Sequence, residues 1–158
     1  MNLRQLSILF CCLALATQIG QARTPLFQNK DLSPKAVVTY FVERMTQGDY
    51  QLGLLDAERE AFTAWPGAPL FNDLWIATSY SIKEPRSVGL FGKFVKVRVE
   101  FKLKSVADVH GTFTPASEST HTVEFHLKRF GEAWKIVAPS ANEWRPIVLE
   151  SYFPYANY

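Results

Sequence analysis

The stretch Val95-Lys96-Val97-Arg98-Val99-Glu100-Phe101-Lys102-Leu103 alternates apolar and charged residues without exception. A period of two places successive side chains on opposite faces of a β-strand. One face of this strand is therefore apolar and the other charged, which a strand buried on both faces of a parallel sheet would not tolerate. The stretch predicts an antiparallel strand with its apolar face against a core, and the rest of the chain must supply strand partners and a cover.

The length and composition of the chain limit the number of domains and the classes of function that it can have. The chain has 158 residues, of which 47% are hydrophobic, and its formal net charge is +2. That length is enough for one domain with a real core, and no repeat or linker divides it. A charge so close to neutral implies no general affinity for nucleic acid or anionic membranes, so any basic patch must be local.

The N-terminus has the layout of a secretory signal peptide. Arg4 precedes an apolar run over residues 6–19, and the small residue Ala22 follows shortly after it. We predict a signal peptide over 1–22 cleaved near Ala22, a flexible leader over 23–32 and a single domain over 33–158. The run is too short to span a bilayer comfortably as a helix, so no transmembrane span is expected after processing. Retention as an anchor and lipidation at the cysteines are alternatives.

Cysteine usage agrees with this division of the chain. Both cysteines, Cys11 and Cys12, lie in the predicted signal peptide. The mature chain would then have no cysteine, and its core must be stable without a disulfide. We expect a periplasmic or secreted protein.

Helix signals come first along the domain. Ser33 is a good N-cap, Pro34 suits the first helical position, and Gly48 can end the helix. The apolar residues between them repeat at helical spacing, as Val37, Val38, Phe41, Val42 and Met45. Two further helical pieces are expected, one capped by Asp49 and one over residues 58–64.

Strand signals follow from Trp75 onward. The first predicted strand stops at Pro85 and places Ile76, Thr78, Tyr80 and Ile82 on one face. The organising strand, extending to Val109, lies between loops over residues 88–93 and 111–120. Two more strands, over 121–130 and 133–138, are joined by the two-residue turn Gly131-Glu132. Helices before a run of antiparallel strands indicate an α+β domain. The aromatic tail after Trp144 is expected to dock as an edge strand or to bind a partner.

Two segments resemble a known family. The first is Ser33-Pro34-Lys35-Ala36-Val37-Val38-Thr39-Tyr40-Phe41 with Gln47-Gly48-Asp49-Tyr50, which resembles the opening helix of NTF2-like domains (SnoaL-like, ketosteroid-isomerase-like). The second, residues 123–137, resembles their last two strands. The resemblance implies a cone, in which a curved antiparallel sheet wraps around the first helix and encloses an apolar pocket. Members include isomerases, dehydratases, cyclases and transport factors, so the fold does not fix the function.

Few candidate site residues lie on the apolar faces. The candidates for lining the cone are Tyr40, Phe41, Trp75, Tyr80, His121 and Trp134. Of the residues in the apolar strand phase only His121 titrates, so no acid–base pair is visible and no catalytic residue is assigned. His110 and His126 have the opposite strand parity to His121, which argues against a metal site. No cofactor is expected.

These residues favour a non-catalytic module. The leading hypothesis is an exported binding module for a small apolar ligand in the cone or for an envelope protein. One alternative is a small cofactor-independent enzyme of the isomerase or dehydratase type, with His121 and either Tyr40 or Tyr80 as its polar groups. Another is an accessory or assembly component of an envelope or secretion system. A homodimer is also left open.

The charged face suggests a second candidate site. The Gly131-Glu132 turn pairs Lys128 with Lys135, and if Lys102 pairs with Lys128 the three lysines form one row across the sheet. Such a row is a candidate basic platform for an acidic partner or anionic head groups. The alternative is an ordinary solvated face, or a register that differs by two.

Overall fold

A computed structural model describes residues 29–48, 56–67, 72–89, 94–108, 110 and 112–152. The helices are α1 (Pro34–Thr46) and α2 (Asp56–Phe62), with single 3-10 turns at Asn29–Asp31 and Glu150–Tyr152. The strands are β1 (Asp73–Ile82), β2 (Arg86–Val88), β3 (Phe94–Asp108), β4 (Phe113–Pro115), β5 (Thr120–Phe130), β6 (Ala133–Ala138) and β7 (Ile147–Leu149). The domain is α+β, as predicted: a few helices beside a curled, mostly antiparallel sheet.

Helix α1 begins and ends as the sequence predicts. The Ser33 hydroxyl accepts a hydrogen bond from the Ala36 backbone N–H at 3.2 Å, and Pro34 occupies the first helical position. Gly48 follows the helix with a φ of 87°, which glycine adopts at little cost. The buried face includes all five residues of the predicted apolar stripe, among them Phe41, 1% exposed. Residues 49–55 of the helix predicted after Asp49 lie outside the described residues, and Ala57 at its predicted end belongs to α2, which corresponds to the predicted 58–64 piece.

The central sheet has the strand order β6-β5-β3-β1-β7, with β2 and β4 paired to β3. All its pairs are antiparallel except β1 with β7. The prediction for β3 is confirmed: Val95, Val97, Val99 and Phe101 are buried, while the residues between them face outward. The turn prediction is confirmed as well, because Lys128 pairs with Lys135 and Gly131 has a φ of 60°.

The register predicted between β3 and β5 is wrong. Lys102 pairs with Thr120, and Lys128 pairs with Phe94. The three lysines Lys102, Lys128 and Lys135 therefore do not form one row, although Lys128 and Lys135 are neighbours. The physical reason is β4, which lies in the segment predicted to be a loop and pairs with Ser105–Ala107. Because β4 occupies the far end of β3, β5 pairs with the earlier part of that strand.

The predicted face of β1 is only partly correct. Register shifts occur between Ile76 and Ala77 and again before Ser79, so the alternation of the strand is interrupted. Ile76 and Ala77 are both fully buried, while Thr78 is exposed. Tyr80 packs against the core as predicted, but Ile76 lies outside the main core cluster. A β-bulge of this kind places two successive residues against one partner residue and switches the face that follows.

Two other segments also differ from the prediction, namely β2 and the residues before α1. Val88, predicted to begin a loop, is the last residue of β2. Asn29, predicted to lie in a flexible leader, is 5% exposed, and its Nδ2 donates hydrogen bonds to the carbonyls of Ala61 at 2.8 Å and Trp134 at 2.7 Å. The predicted docking of the tail as an edge strand is confirmed for β7, whereas residues 153–158 lie outside the described part of the chain.

Helix α1 packs on the concave face of the sheet, and an aromatic cluster fills the space between them. Phe41, Trp65, Phe125 and Trp144 have neighbouring ring centroids 5.5–6.2 Å apart. Such separations are typical of rings in contact. Across the described ranges, no helix is long and apolar enough to cross a membrane.

Candidate functional site

The segment that links β6 to β7 crosses from one edge of the sheet to the other. This crossover segment, residues 140–146, follows Pro139, whose carbonyl accepts a hydrogen bond from Trp65 Nε1 at 2.8 Å. At its far end the Pro146 carbonyl accepts from the Trp75 backbone N–H at 2.9 Å. Between these two attachments Trp144 is 4% exposed and packs in the aromatic cluster. The crossover segment therefore closes the concave side of the sheet with an inserted indole.

Two of the predicted cone-lining residues lie on helix α1 and point in different directions. Phe41 belongs to the aromatic cluster, whereas Tyr40 is 36% exposed and stacks on Phe62 with ring centroids 6.1 Å apart. Tyr40 borders a shallow surface depression of 480 Å³ beside Thr39 and Glu43. The two residues are therefore not brought to one cavity.

Tyr80 lies on the core face of β1. It pairs with Phe101 on β3, which in turn pairs with His121 on β5. Burial raises the pKa of the Tyr80 hydroxyl, and the negative charge of Glu43 acts in the same direction. Because neighbouring strands are about 4.8 Å apart, Tyr80 and His121 are separated by roughly 10 Å across the sheet. That spacing does not suit a pair of groups sharing one proton transfer.

Trp134 is the last of the predicted cone residues. Its ring packs against the core from β6, and the Arg129 guanidinium lies over it at 5.8 Å from the ring centroid. It is thus at the opposite end of β5 from His121. The sheet does bring two of the predicted residues together, His121 and Trp75.

His121 and Trp75 meet where the crossover segment reaches β1. Their ring centroids are 4.5 Å apart, with the ring planes at 67°. The Arg145 guanidinium lies over the Trp75 ring at 5.5 Å, and its Nη1 is 3.1 Å from Asp73 Oδ2. The Trp75 Nε1 also donates to that carboxylate, at 3.2 Å. His121, Trp75, Arg145 and Asp73 therefore form one cluster, which is called the rim cluster below.

The electrostatics of the rim cluster keep His121 neutral. Its side chain is 28% exposed, and burial lowers the pKa of the imidazole from 6.5. The Glu118 carboxylate, 3.9 Å away, raises the pKa of His121, whereas the Arg145 charge lowers it. Burial is the largest of these effects, so at neutral pH the ring offers one hydrogen-bond donor and one acceptor.

Strand β5 has a free edge beside the rim cluster. Its first part, residues 120–125, pairs with β3, but β6 pairs only with His126–Phe130. Among the described strands, none pairs with residues 120–125 on the β6 side. The Ser119 carbonyl accepts from the Leu103 N–H, which shows that odd-numbered backbone groups face β3. Since hydrogen-bonding direction alternates along a strand, the backbone groups of Thr122 and Glu124 face the free edge.

A depression of 260 Å³ runs along this edge. One wall is β5 and the other is formed by Ala138, Pro139 and the crossover segment, including Glu143, Trp144 and Arg145. Glu143 is held in place by Ser140, whose backbone N–H and hydroxyl both donate to its carboxylate, at 2.8 and 2.9 Å. The hydrogen bonds from Ser140 lower the pKa of Glu143, so that it carries a negative charge opposite the positive charge of Arg145. An edge with exposed backbone groups and a charged far wall suits an extended peptide.

The outer face of the sheet is charged, as the alternation in β3 predicts. Lys83 pairs with Glu100 at 2.8 Å, and Glu124 accepts from Lys96 at 2.6 Å. His126 lies 3.0 Å from the same Glu124 carboxylate. The hydrogen bond from Lys96 is the main cause of a lowered pKa of Glu124. Of the predicted lysine platform, Lys135 is tied to α2, because its Nζ donates to the Glu60 carbonyl at 2.8 Å.

Sequence reasoning found His121 and Trp75 but missed the residues around them. Arg145 lies in a segment with no periodicity, and Asp73 precedes Trp75, from which the strand pattern is read, so no pattern marks either residue. Within the described part of the chain, no three His, Cys, Asp or Glu side chains gather where they could hold a metal ion.

Comparison with protein-family models found no matching family, and searches of curated proteins and of solved structures found no match either.

Proposed function

We propose that this chain is an exported, non-catalytic binding module of the NTF2-like type, and that its partner is an envelope protein. The partner adds an extended segment to the free edge of β5, beside the rim cluster. The observation that carries this proposal is the edge itself: residues 120–125 pair with β3 on one side and border the 260 Å³ depression on the other. Unpaired strand edges are a common docking site for extended peptides.

The packing of Trp144 favours a protein partner over a small apolar ligand in the cone. A ligand there would have to displace an indole that contacts Phe41, Trp65 and Phe125. The separation of Tyr80 from His121 similarly gives the enzyme hypothesis little support. An accessory role in an envelope or secretion system is compatible with the same edge, because assembly by strand addition uses main-chain hydrogen bonds.

Export is supported by the arrangement of Arg4, the apolar run and Ala22. N-terminal sequencing of the protein from its own cells should begin near Arg23. Intact Met1 on a cytoplasmic protein would contradict this part of the proposal.

The edge is tested by site-specific cross-linking in the native envelope. A photoreactive phenylalanine analogue at Thr120 lies on the same edge as Thr122 and should give a discrete cross-linked protein. Thr122→Pro removes the edge N–H without removing a bond to β3, and proline is tolerated on strand edges. We expect Thr122→Pro to abolish the cross-link.

Thr122→Ala is the matched control, because it removes the side chain and keeps the N–H. It should leave the cross-link intact. The same analogue at Glu132, exposed in the turn at the opposite end of β5, should give no such product. If Thr122→Pro and Thr122→Ala behave alike, the edge is not the interface. A cross-linked product made of two copies of this chain would show that the edge forms a homodimer and does not bind an envelope protein.

A further inference from the structure

We propose that one end of the outer sheet face docks on an anionic lipid bilayer, through exposed aromatic side chains flanked by cations. This surface lies on the opposite face of β5 from the buried residues, and the inference does not depend on the partner proposed for the β5 edge. The residues that form it, called the aromatic–basic patch, are Arg86, Val88, Phe94, Lys96, Lys128 and Phe130.

Strand pairing brings these residues into two neighbouring rows. In the first row, Arg86 pairs with Lys96, and Lys96 pairs with His126. In the second row, Phe94 lies between Val88 and Lys128. Side chains at paired positions lie on the same face, and here that face is the outer one, because Val95 and Leu127 between the rows are buried. Neither row contains a carboxylate.

The apolar part of the patch is exposed. Val88, Phe94 and Phe130 are 38%, 41% and 44% exposed, and they are three of the five large hydrophobic side chains exposed in the described residues. Phe130 joins the patch through Lys128, whose Nζ lies 5.8 Å from the Phe130 ring centroid. Concentration of exposed apolar side chains at one place on a surface marks an interaction site.

The cations of the patch are incompletely neutralised. Within the described ranges, Arg86 and Lys128 have no carboxylate within 4 Å. Lys96 is paired with Glu124, the same carboxylate that lies 3.9 Å from Arg98. Beside the first row is a depression of 420 Å³, lined by Lys83, Arg86, Lys96 and Arg98, three carboxylates and Pro85. Each of those carboxylates already has a lysine partner: Glu84 with Lys35, Glu100 with Lys83 and Glu124 with Lys96.

That arrangement leaves the Arg86 guanidinium without a carboxylate among the described residues, and Arg98 has only the shared Glu124 carboxylate at 3.9 Å, so both can contact an anion. Guanidinium groups bind phosphate oxygens in bidentate fashion. Aromatic side chains lie at the boundary between head groups and acyl chains, and lysine and arginine beside them are attracted to anionic lipids. Exposed rings next to a cationic depression therefore match a bilayer surface, with the rings at the acyl boundary and the arginines at the phosphates.

The mature full-length protein is tested with vesicles of phosphatidylcholine alone and with vesicles containing 30% phosphatidylglycerol. We expect co-sedimentation with the anionic vesicles only, weakening as NaCl is raised. Because each basic residue near such a surface contributes roughly five-fold in affinity, Arg86→Gln with Lys128→Gln should weaken binding roughly 25-fold. Phe94→Ser with Phe130→Ser should weaken it by more than about ten-fold.

Matched controls exist elsewhere on the surface. Lys102→Gln removes an exposed outer-face cation, and Tyr152→Ser removes an aromatic side chain that is 52% exposed. Both should bind within about two-fold of the unchanged protein. Equal losses in the control and patch variants would overturn the proposal, as would absence of vesicle binding at low salt. Binding to polyglutamate with no binding to vesicles would also overturn it, in favour of an acidic protein.

A second measurement does not depend on the double variants folding. Since the mature chain would contain no cysteine, Phe130→Cys can carry a single environment-sensitive fluorophore. Its emission should shift to the blue with anionic vesicles, whereas the same label at Lys102→Cys should not shift. A shift at both positions, or at neither, contradicts docking through the patch.

Discussion

The indole of Trp144 stands edge-on to the phenyl ring of Phe41, with centroids 5.6 Å apart and ring planes at 76°. Phe41 comes from the first helix and Trp144 from the crossover segment near the end of the chain. Trp65 and Phe125 complete the cluster around this pair. The contact therefore joins the two parts of the domain that cover the concave face of the sheet.

Trp144→Ala should lower the free energy of unfolding by about 3–5 kcal/mol, the usual cost of deleting a large buried aromatic side chain. Urea denaturation of the purified protein measures it. Tyr152→Ala, at an exposed aromatic position, should change stability by less than about 0.5 kcal/mol. In a double-mutant cycle with Phe41→Ala, the pair should show a coupling of about 0.5–1.5 kcal/mol. Additive losses would show that the two rings do not interact.

Asn29→Ala should destabilise the domain by about 1–3 kcal/mol, because the buried carbonyls of Ala61 and Trp134 would lose their donor. The same denaturation experiment measures this loss. Asn142→Ala is the control, since Asn142 is exposed on the crossover segment. A protein that tolerates Asn29→Ala as well as it tolerates Asn142→Ala would show that the segment before α1 is not anchored.

The register between β3 and β5 can be tested with an engineered disulfide. Lys102 and Thr120 are directly paired, and because odd-numbered residues make the hydrogen bonds, theirs is a non-hydrogen-bonded pair with Cα atoms about 4.5 Å apart. That distance is within the range for a disulfide. Lys102→Cys with Thr120→Cys should therefore oxidise to a single intramolecular bond, seen as the loss of two free thiols. Lys102→Cys with Lys128→Cys should remain reduced, and the reverse result would restore the other register.

Stability should fall on acidification partly because of His121. Burial holds the pKa of folded His121 below 6.5, so between that lowered value and pH 6.5 the unfolded chain binds a proton that the folded protein does not. The contribution is therefore complete above about pH 6.5 and is lost as the pH falls through the folded pKa. His121→Gln should flatten the pH dependence of the free energy of unfolding between pH 7 and 5.

An NMR titration of the imidazole protons measures the pKa of His121 directly. A value at or above 6.5 would contradict the assigned burial effect.

Local patterns predicted the elements well where each residue type has one physical role. Ser33 begins α1 because its hydroxyl accepts a backbone hydrogen bond. Gly48 follows the end of α1 because glycine readily adopts a positive φ. The Gly131-Glu132 turn fixes the pairing of β5 with β6 because a two-residue loop allows only one register. Alternation likewise assigned the outer face of β3.

The same alternation could not assign the register of β3 with β5, because every even shift buries the same set of side chains. The outcome depends on β4, three residues whose composition predicts a loop. The bulge between Ile76 and Ala77 and the insertion of Trp144 are decided by tertiary contacts as well, so neither leaves a periodic signal. For this reason only part of the rim cluster was predicted. His121 lies on a regular strand, whereas Arg145 lies in the irregular crossover segment.

The parallel pairing of β7 with β1 makes completion of the fold a late event. Asp73 and Arg145, the residues that tie the crossover segment to β1, are 72 positions apart in the chain. Contacts between such distant positions slow folding, because a long loop must close before they form. A nascent chain that ends before residue 140 lacks both the indole that fills the core and the strand that covers the edge of β1. Any such chain should remain open and extensible until the residues of the crossover segment and β7 have been synthesised.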